Sequence, residues 1–331
     1  MADRNIRIFI NGFGRIGRTL LRILAKGTHS EFEIVGINDI EPLDTCAYLF
    51  EYDSVFGAYP GRVDVVNQAL TVDDLTIPFF GERDISVLDL GDVDVVLECT
   101  GMAGKRAVAE RGLAAGARSV LISGPSDEAD MTVVMGANEH LIEGHKIVSN
   151  ASCTTNALAP LLRVLDTEYG LVSGHMTTVH CYTGSQPTVD KPRADLARSR
   201  AAALSMVPTT TSAQRLIDKV LPHLSGRVEA RAIRVPTASV SAIDLTIQTD
   251  TPTNVKAVNT LLQAEAQAGL IGWTTKPLVS TDLRARPESL ILSGRETSVS
   301  VGGLLRVFGW YDNEWGFSNR MLDMARLMGR R

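Results

Sequence analysis

Cysteine is scarce in this chain, long apolar runs are missing, and neither sign of charge dominates. Only four of the 331 residues are cysteine, Cys46, Cys99, Cys153 and Cys181, and none forms a Cys-x-x-Cys pair. That excludes a disulfide-stapled scaffold and fits a reducing compartment, where a thiol can serve as a nucleophile. No stretch of about 18 uncharged apolar residues occurs, so no transmembrane helix is expected. The opening MADRNIRIFI has no signal-peptide apolar core, so no secretory leader is expected. Lys and Arg number 33 against 38 Asp and Glu, a net charge of −5. That balance argues against nucleic acid or a membrane surface as partner. What the chain does have is length and apolar content. Hydrophobic residues make up 44%, enough to fill a core and exclude disorder, and the length corresponds to about two domains. The expectation is a cytoplasmic protein of α/β type.

The first half alternates strand and helix signals. Arg7–Ile10 is a short apolar run, and Ile16, Leu20, Leu21, Ile23 and Leu24 then recur at helical spacing. Glu33–Ile37, Asp94–Glu98, Arg118–Ile122 and Lys146–Ser149 read as further buried strands, with a helix-compatible Ala103–Ala115 between two of them. Such alternation predicts a Rossmann-type, doubly wound parallel sheet. Near residue 150 the texture changes. Met176–His180, Val228–Val235, Val240–Gln248 and Ser298–Val307 are longer alternating or β-branched runs, with helix-like Ser212–Val220 and Val255–Ala268 among them. A second α+β domain on a mixed or antiparallel sheet is expected there. Residues 183–210 read as a polar loop, too long for an ordinary connector and therefore functional.

Gly12-x-Gly14-x-x-Gly17 follows a strand and opens a helix. The first glycine permits the tight turn, the second the approach of a pyrophosphate, and the third close helix–strand packing. Asp39 follows Gly17 at the end of the next strand. Its carboxylate can accept hydrogen bonds from a ribose and would repel a 2′-phosphate, so NAD is expected over NADP. Ser152-Cys153-Thr154-Thr155-Asn156 follows the run KIVS and precedes an apolar helix. A cysteine at a helix N-terminus has its thiolate stabilised by the dipole, and the flanking hydroxyls and amides suit an anion. Taken alone, Cys153 reads as readily as a buried thiol beside N-cap residues. His180, closing HMTTVH, is a candidate base for that thiol, or a histidine merely satisfied by its surroundings.

NGFGRIGR, ASCTTN, TTVH, RVPT and WYDNEWG occur in that order, and with them the chain resembles the phosphorylating glyceraldehyde-3-phosphate dehydrogenase family from Ile8 to about Leu327. The resemblance implies an NAD domain over residues 1–150, completed by a C-terminal helix (about 315–331), and a catalytic domain over 151–314. It also implies a homotetramer whose 183–210 loop packs against neighbouring subunits and cofactors. Cys153 stands where the family has its nucleophile and His180 where it has the base. Gly12, Gly14, Arg15, Ile16, Gly17, Asp39, Arg83, Ser123 and Asn313 match cofactor positions, Asn313 that of the nicotinamide carboxamide. Thr183 and Arg234 match the site for the substrate's phosphate; Ser152, Thr154 and Thr211 match the site for inorganic phosphate, with Ser212 beside them. The implied reaction converts a phosphorylated aldehyde through a cysteine thiohemiacetal and thioester to an acyl phosphate. No metal is expected.

The departures concern the phosphate sites. Asp195-Leu196 is followed by Ala197, where the family usually has an arginine, so a bidentate phosphate donor is missing unless the adjacent Arg198 replaces it. Ser212 stands where a glycine amide normally approaches the anion. An erythrose-4-phosphate dehydrogenase, which hydrolyses its thioester, is therefore the alternative. A catalytically weak NAD-binding homologue with a regulatory role is a third.

Overall fold

The computed structural model describes residues 4–330, and the chain divides into two units. The first takes in residues up to Val133, Glu139–Ala151 and the chain from Ser318 onward; the second takes in Val134–Asn138 and Ser152–Phe317.

In the first unit the order is β1 (Ile6–Asn11), α1 (Arg15–Leu24), β2 (Phe32–Asn38), α2 (Leu43–Glu51), a small hairpin of β3 (Tyr52–Asp53) and β4 (Gly57–Ala58), then β5 (Val63–Val66), β6 (Ala69–Val72) and β7 (Leu75–Phe80). β8 (Val95–Glu98), α3 (Arg106–Ala114), β9 (Ser119–Ile122), β10 (Met131–Thr132) and β11 (Ile147–Ser149) complete it. The sheet order is β10-β11-β9-β8-β1-β2-β7-β6-β5. Pairing is parallel from β10 across to β7, and antiparallel in the β5–β6–β7 meander. The meander and α2 carried no clear signal in the sequence. After β7 the chain returns to lay β8 on the other side of β1, which makes the carboxyl ends of β1 and β8 the topological switch point, where such sheets bind ligands. β8 and β9 are buried along their whole length, as parallel strands covered on both faces must be.

The second unit opens with α4 (Cys153–Tyr169), followed by β12 (Leu171–Cys181), β13 (Val207–Thr210), α5 (Ala213–Val220), β14 (Val228–Val235), β15 (Ser241–Thr249) and α6 (Val255–Glu265). β16 (Ile271–Thr274), β17 (Leu290–Ser293), β18 (Ser298–Val299) and β19 (Leu305–Tyr311) follow, and α7 (Trp315–Gly329) starts here. The sheet order is β13-β14-β12-β15-β19-β17-β16, with β18 paired to β19. The sheet is mixed: β12 pairs parallel with β14 and antiparallel with β15. α4 lies against β12, β15, β17 and β19, and α5 against α4 and β14.

Two expectations need correction. The run Ser298–Val307 is not one strand: it folds back at Gly302-Gly303, with φ +84° at Gly303 and a Gly303 N–H to Ser300 O bond of 2.9 Å, giving β18 and β19 as a hairpin. Nor is 183–210 wholly loop. Its end is β13, an edge strand on β14, where Pro208 is tolerated because an edge need not donate on both sides.

Candidate functional site

The glycine loop of the first unit is built almost entirely from backbone. Gly12 takes φ +95°, and a Cβ there would stand 2.6 Å from Cys99 C and Thr100 N; one on Gly17 would stand 2.2 Å from Gly12 O. Gly14, by contrast, has nothing within 4 Å of a would-be Cβ. The chain itself does not require glycine there; an approaching ligand would. α1 begins at once with no side-chain cap, and helix geometry leaves the first-turn amides of Arg15, Ile16 and Gly17 without intrahelical acceptors, a cradle that fits a pyrophosphate. Asp39 Oδ2 accepts the Phe13 N–H at 2.6 Å and Oδ1 that of Glu41 at 3.0 Å, so the carboxylate borders the loop. The Arg15 guanidinium pairs with Asp53 and lies 5.4 Å over the Phe56 ring; its side chain is thus turned to the protein. Ser123 follows β9, its N–H donating to Glu98 O at 2.9 Å, and Arg83 is exposed just after β7. Beneath the loop lies a polar network that sequence reasoning missed. Asn11 Nδ2 donates to Glu98 Oε2 at 2.5 Å and Asn38 Nδ2 to Asn11 Oδ1 at 2.8 Å, tying together the ends of β8, β1 and β2. Burial pushes the Glu98 carboxyl up, against hydrogen bonds from Thr100 and Asn11.

In the second unit the reactive groups come from four separate elements. Cys153 is the first residue of α4. Ser152 caps that helix, its Oγ accepting the Thr155 N–H at 3.1 Å, while Ala151 before it holds φ +56°. His180 and Arg234 are direct register partners on β12 and β14. Cys153 Sγ lies 3.8 Å from His180 Nε2. His180 Nδ1 is 2.7 Å from Cys181 O, and Asn313 Nδ2 is 3.1 Å from Nε2. With the proton on Nδ1, the ring donates to the Cys181 carbonyl and Nε2 accepts from the Asn313 amide, with the Cys153 thiol beside it. Arg234 Nη1 also approaches Nδ1, at 2.6 Å, and donates to Cys181 O at 3.3 Å. A guanidinium can only donate, so this contact favours an unprotonated Nδ1, and in either tautomer it sets a positive charge against the imidazole. Burial, then Arg234, lowers His180 to about 3, opposed by the Cys181 carbonyl. Burial also pushes the Cys153 thiol up, while the Asn313 amide and the Arg234 charge act the other way.

Tyr311 escaped the sequence reading as a site residue. Its buried hydroxyl is 2.8 Å from both Thr154 Oγ1 and Thr178 Oγ1, bracing the start of α4 to β12 behind the His180 ring. Asp312 accepts the N–H groups of Ala285, Glu314 and Trp315 and so fixes the turn that presents Asn313. The phosphate candidates are more dispersed. Thr154 is engaged with Tyr311, Ser152 with the α4 cap, Thr183 Oγ1 with Ser185 Oγ at 2.8 Å, and Thr211 Oγ1 with the Ala213 N–H at 3.2 Å. Ser212 precedes α5 and makes no side-chain cap bond. Arg198 Nε donates to Thr209 Oγ1 at 2.7 Å and Nη2 to Thr210 O at 3.0 Å, which anchors it to β13. Among the described residues no cluster of His, Cys, Asp and Glu is arranged to hold a metal ion, and no helix is long and apolar enough to cross a membrane.

Comparison with known proteins gives one consistent result. Residues 6–106 match the family described as glyceraldehyde 3-phosphate dehydrogenase, NAD binding domain, and residues 152–313 match its C-terminal domain. The glyceraldehyde-3-phosphate dehydrogenase of Xanthobacter flavus is 46% identical over 333 residues, covering 98% of this chain and 99% of that protein. That of Cereibacter sphaeroides is 44% identical over 329 residues, covering 98% and 99%. The Pseudomonas aeruginosa enzyme is 46% identical over 326 residues, covering 97% of each. The chain belongs to the glyceraldehyde-3-phosphate dehydrogenase family and is an NAD-dependent oxidoreductase.

Proposed function

We propose that the protein oxidises D-glyceraldehyde 3-phosphate to 1,3-bisphosphoglycerate, with NAD reduced and inorganic phosphate consumed. The observation that carries this reading is the 3.8 Å approach of Cys153 Sγ to His180 Nε2, with Arg234 beside the same ring. NAD, when bound, supplies the hydride acceptor. Gly12, Gly14, Arg15, Ile16, Gly17, Asp39, Arg83 and Ser123 would hold it, and the family resemblance also assigns it Asn313, whose amide would then give up a contact in the cluster.

The remaining chemistry belongs to the protein. Cys153 Sγ attacks the aldehyde carbon while its proton passes to His180 Nε2, giving a thiohemiacetal. The Cys153 backbone N–H at the start of α4 and the resulting imidazolium steady the oxyanion. Once oxidised, the acyl group is a thioester on Cys153. Inorganic phosphate attacks its carbonyl and expels the thiolate, releasing the acyl phosphate. Arg234 and Thr183 bind the substrate's phosphate; Ser152, Thr154, Thr211 and Ser212 form the inorganic-phosphate site. Exposed Val189, Leu196, Leu204 and Met206 on the 183–210 segment support a homotetramer in which other copies cover them, measurable by light scattering. A catalytic thiol that has to stay reduced suits a cytoplasmic location.

A second reading is favoured by one observation. Ala197 supplies no phosphate donor and Arg198 is anchored on Thr209 and Thr210, which suits an erythrose-4-phosphate dehydrogenase that hydrolyses its thioester. The deciding measurement is the initial rate of NADH formation with glyceraldehyde 3-phosphate across an inorganic phosphate titration. A saturable phosphate requirement supports the first reading; a slow, phosphate-indifferent rate that rises with erythrose 4-phosphate replaces it with the second.

A further inference from the structure

Asn313 uses its whole amide within the reactive cluster. Its Oδ1 accepts from Ser241 Oγ at 2.8 Å and from Cys181 Sγ at 3.2 Å. Its Nδ2 donates toward His180 Nε2 at 3.1 Å and Cys153 Sγ at 3.6 Å. An amide has two acceptor lone pairs and two N–H donors, and all four are engaged here. The Ser241 oxygen also accepts the Cys181 N–H at 3.0 Å, so the hydroxyl links that backbone to Asn313. Val240, immediately before Ser241, is buried at φ +65°, a conformation a β-branched residue holds only when its surroundings compel it. Turning the amide over would give up both bonds to Oδ1 and take the N–H groups away from Cys153 and His180.

We propose that Cys181 and Ser241 are positioning residues: together they hold Asn313 with its amide nitrogen toward Cys153 and His180, and so keep an oriented N–H on the sulfur as the thiol becomes a thiolate. Cys181 thus acts as a structural donor beside the nucleophile, not as a second reactive thiol. The inference rests on the reading of Cys153 as the nucleophile, but neither substrate nor cofactor is needed to test it.

The test is the rate of Cys153 alkylation by iodoacetamide in the NAD-free protein, followed from pH 5 to 10 and assigned to Cys153 by peptide mass spectrometry. Arg234, Tyr311, Cys153, His180 and Glu314, the charged and titratable neighbours of the cluster, are unchanged in every variant. In Cys181→Ala/Ser241→Ala the rate at pH 7 is expected to fall roughly tenfold and its pH midpoint to rise by about one unit, as loss of an oriented donor to a charged group implies. Each single variant should lose about threefold, and Cys181→Ser, which keeps a donor, should recover most of the Cys181→Ala loss. Unchanged rate and midpoint in a folded double variant would overturn the proposal, as would Cys181→Ser behaving like Cys181→Ala. If the double variant fails to fold, the single variants and the serine rescue decide it. Retained turnover in Cys153→Ser would instead sink the nucleophile reading beneath it.

Discussion

The glycine loop of the first unit and the cysteine–histidine cluster of the second are built from different materials. The loop works by leaving side chains out: Gly12, Gly14 and Gly17 lie within six consecutive positions, and what they offer is backbone N–H. The cluster works by crowding side chains in. Cys153, His180, Arg234 and Asn313 come from α4, β12, β14 and the turn after β19, brought together by strand register and by buried braces such as Tyr311. A binding cradle made of backbone is local in sequence. A proton-handling cluster is not, because it needs rigid groups converging from several directions.

The sharpest way to break that division is to disable each region without touching the other. Cys153→Ser replaces the thiolate nucleophile with a hydroxyl that His180 cannot activate to the same degree, so turnover should fall by roughly 10³-fold or more. NAD affinity, measured by fluorescence quenching, should stay within about twofold of the parent, since the glycine loop contains no atom of Cys153. Retained turnover would remove Cys153 from the chemistry. The reciprocal variant is Gly17→Ala. Its Cβ would stand 2.2 Å from Gly12 O, a clash with backbone that cannot be relieved by rotating a side chain. NAD should bind at least about tenfold more weakly and the protein lose about 1–3 kcal/mol of stability. Alkylation of Cys153 in the NAD-free variant should match the parent, and a joint loss of both would show that the two regions are not separable.

How much of this was legible in the sequence follows the same line. The dinucleotide loop stood out because its spacing, its flanking strand and helix, and Asp39 all lie within one supersecondary unit. The sheet class was legible too, since fully buried runs such as Val95–Leu97 differ visibly from the alternating Val228–Val235. His180 could be offered from the sequence as a candidate base for Cys153, and the resemblance strengthened it, but no spacing rule brings residues so far apart in the chain into contact. The bracing parts of Tyr311, Ser241 and Cys181 were not legible, because a buried tyrosine, serine or cysteine on a strand looks like any other core residue until its hydrogen-bond partners are known. The hairpin at Gly302-Gly303 was missed for a simpler reason, that the β-branched run continued on both sides of it. The first-unit meander was missed because its strands are short and half exposed.

Acid sharpens the comparison from the side of the cluster. His180 sits well below its usual value, at about 3, through burial and the Arg234 charge. A base depressed in the folded state binds fewer protons there than in the unfolded chain, so its contribution to stability is fully present above about pH 6.5 and is lost as pH falls from there toward about 3. The expected slope is up to about 1.4 kcal/mol per pH unit. Comparing denaturant unfolding of the parent with His180→Gln between pH 6.5 and 5 isolates this group, because Gln does not titrate. The parent should lose its advantage over the variant by roughly 1 kcal/mol per pH unit. Parallel curves would mean that the imidazole is not held neutral by its surroundings.

The smallest effect is expected back in the cradle, at the one side chain that it uses. Asp39 is only half-buried and already accepts the Phe13 and Glu41 N–H groups. Its carboxylate is thereby held at the rim of the loop, and its negative charge disfavours a phosphate on the adenosine ribose. Asp39→Ala removes both the acceptor and the repulsion, so the ratio of NAD to NADP binding should fall by about tenfold, near 1.4 kcal/mol. Part of that loss will come from NAD itself binding more weakly, because Phe13 N–H loses its partner and the loop loosens. Measuring both dissociation constants separates the two contributions. A lower NAD affinity with an unchanged ratio would mean that Asp39 only shapes the backbone, and the cradle would then contain no side-chain discrimination at all, whereas a ratio that moves while the loop stays intact makes this single carboxylate the exception in a site otherwise written in backbone.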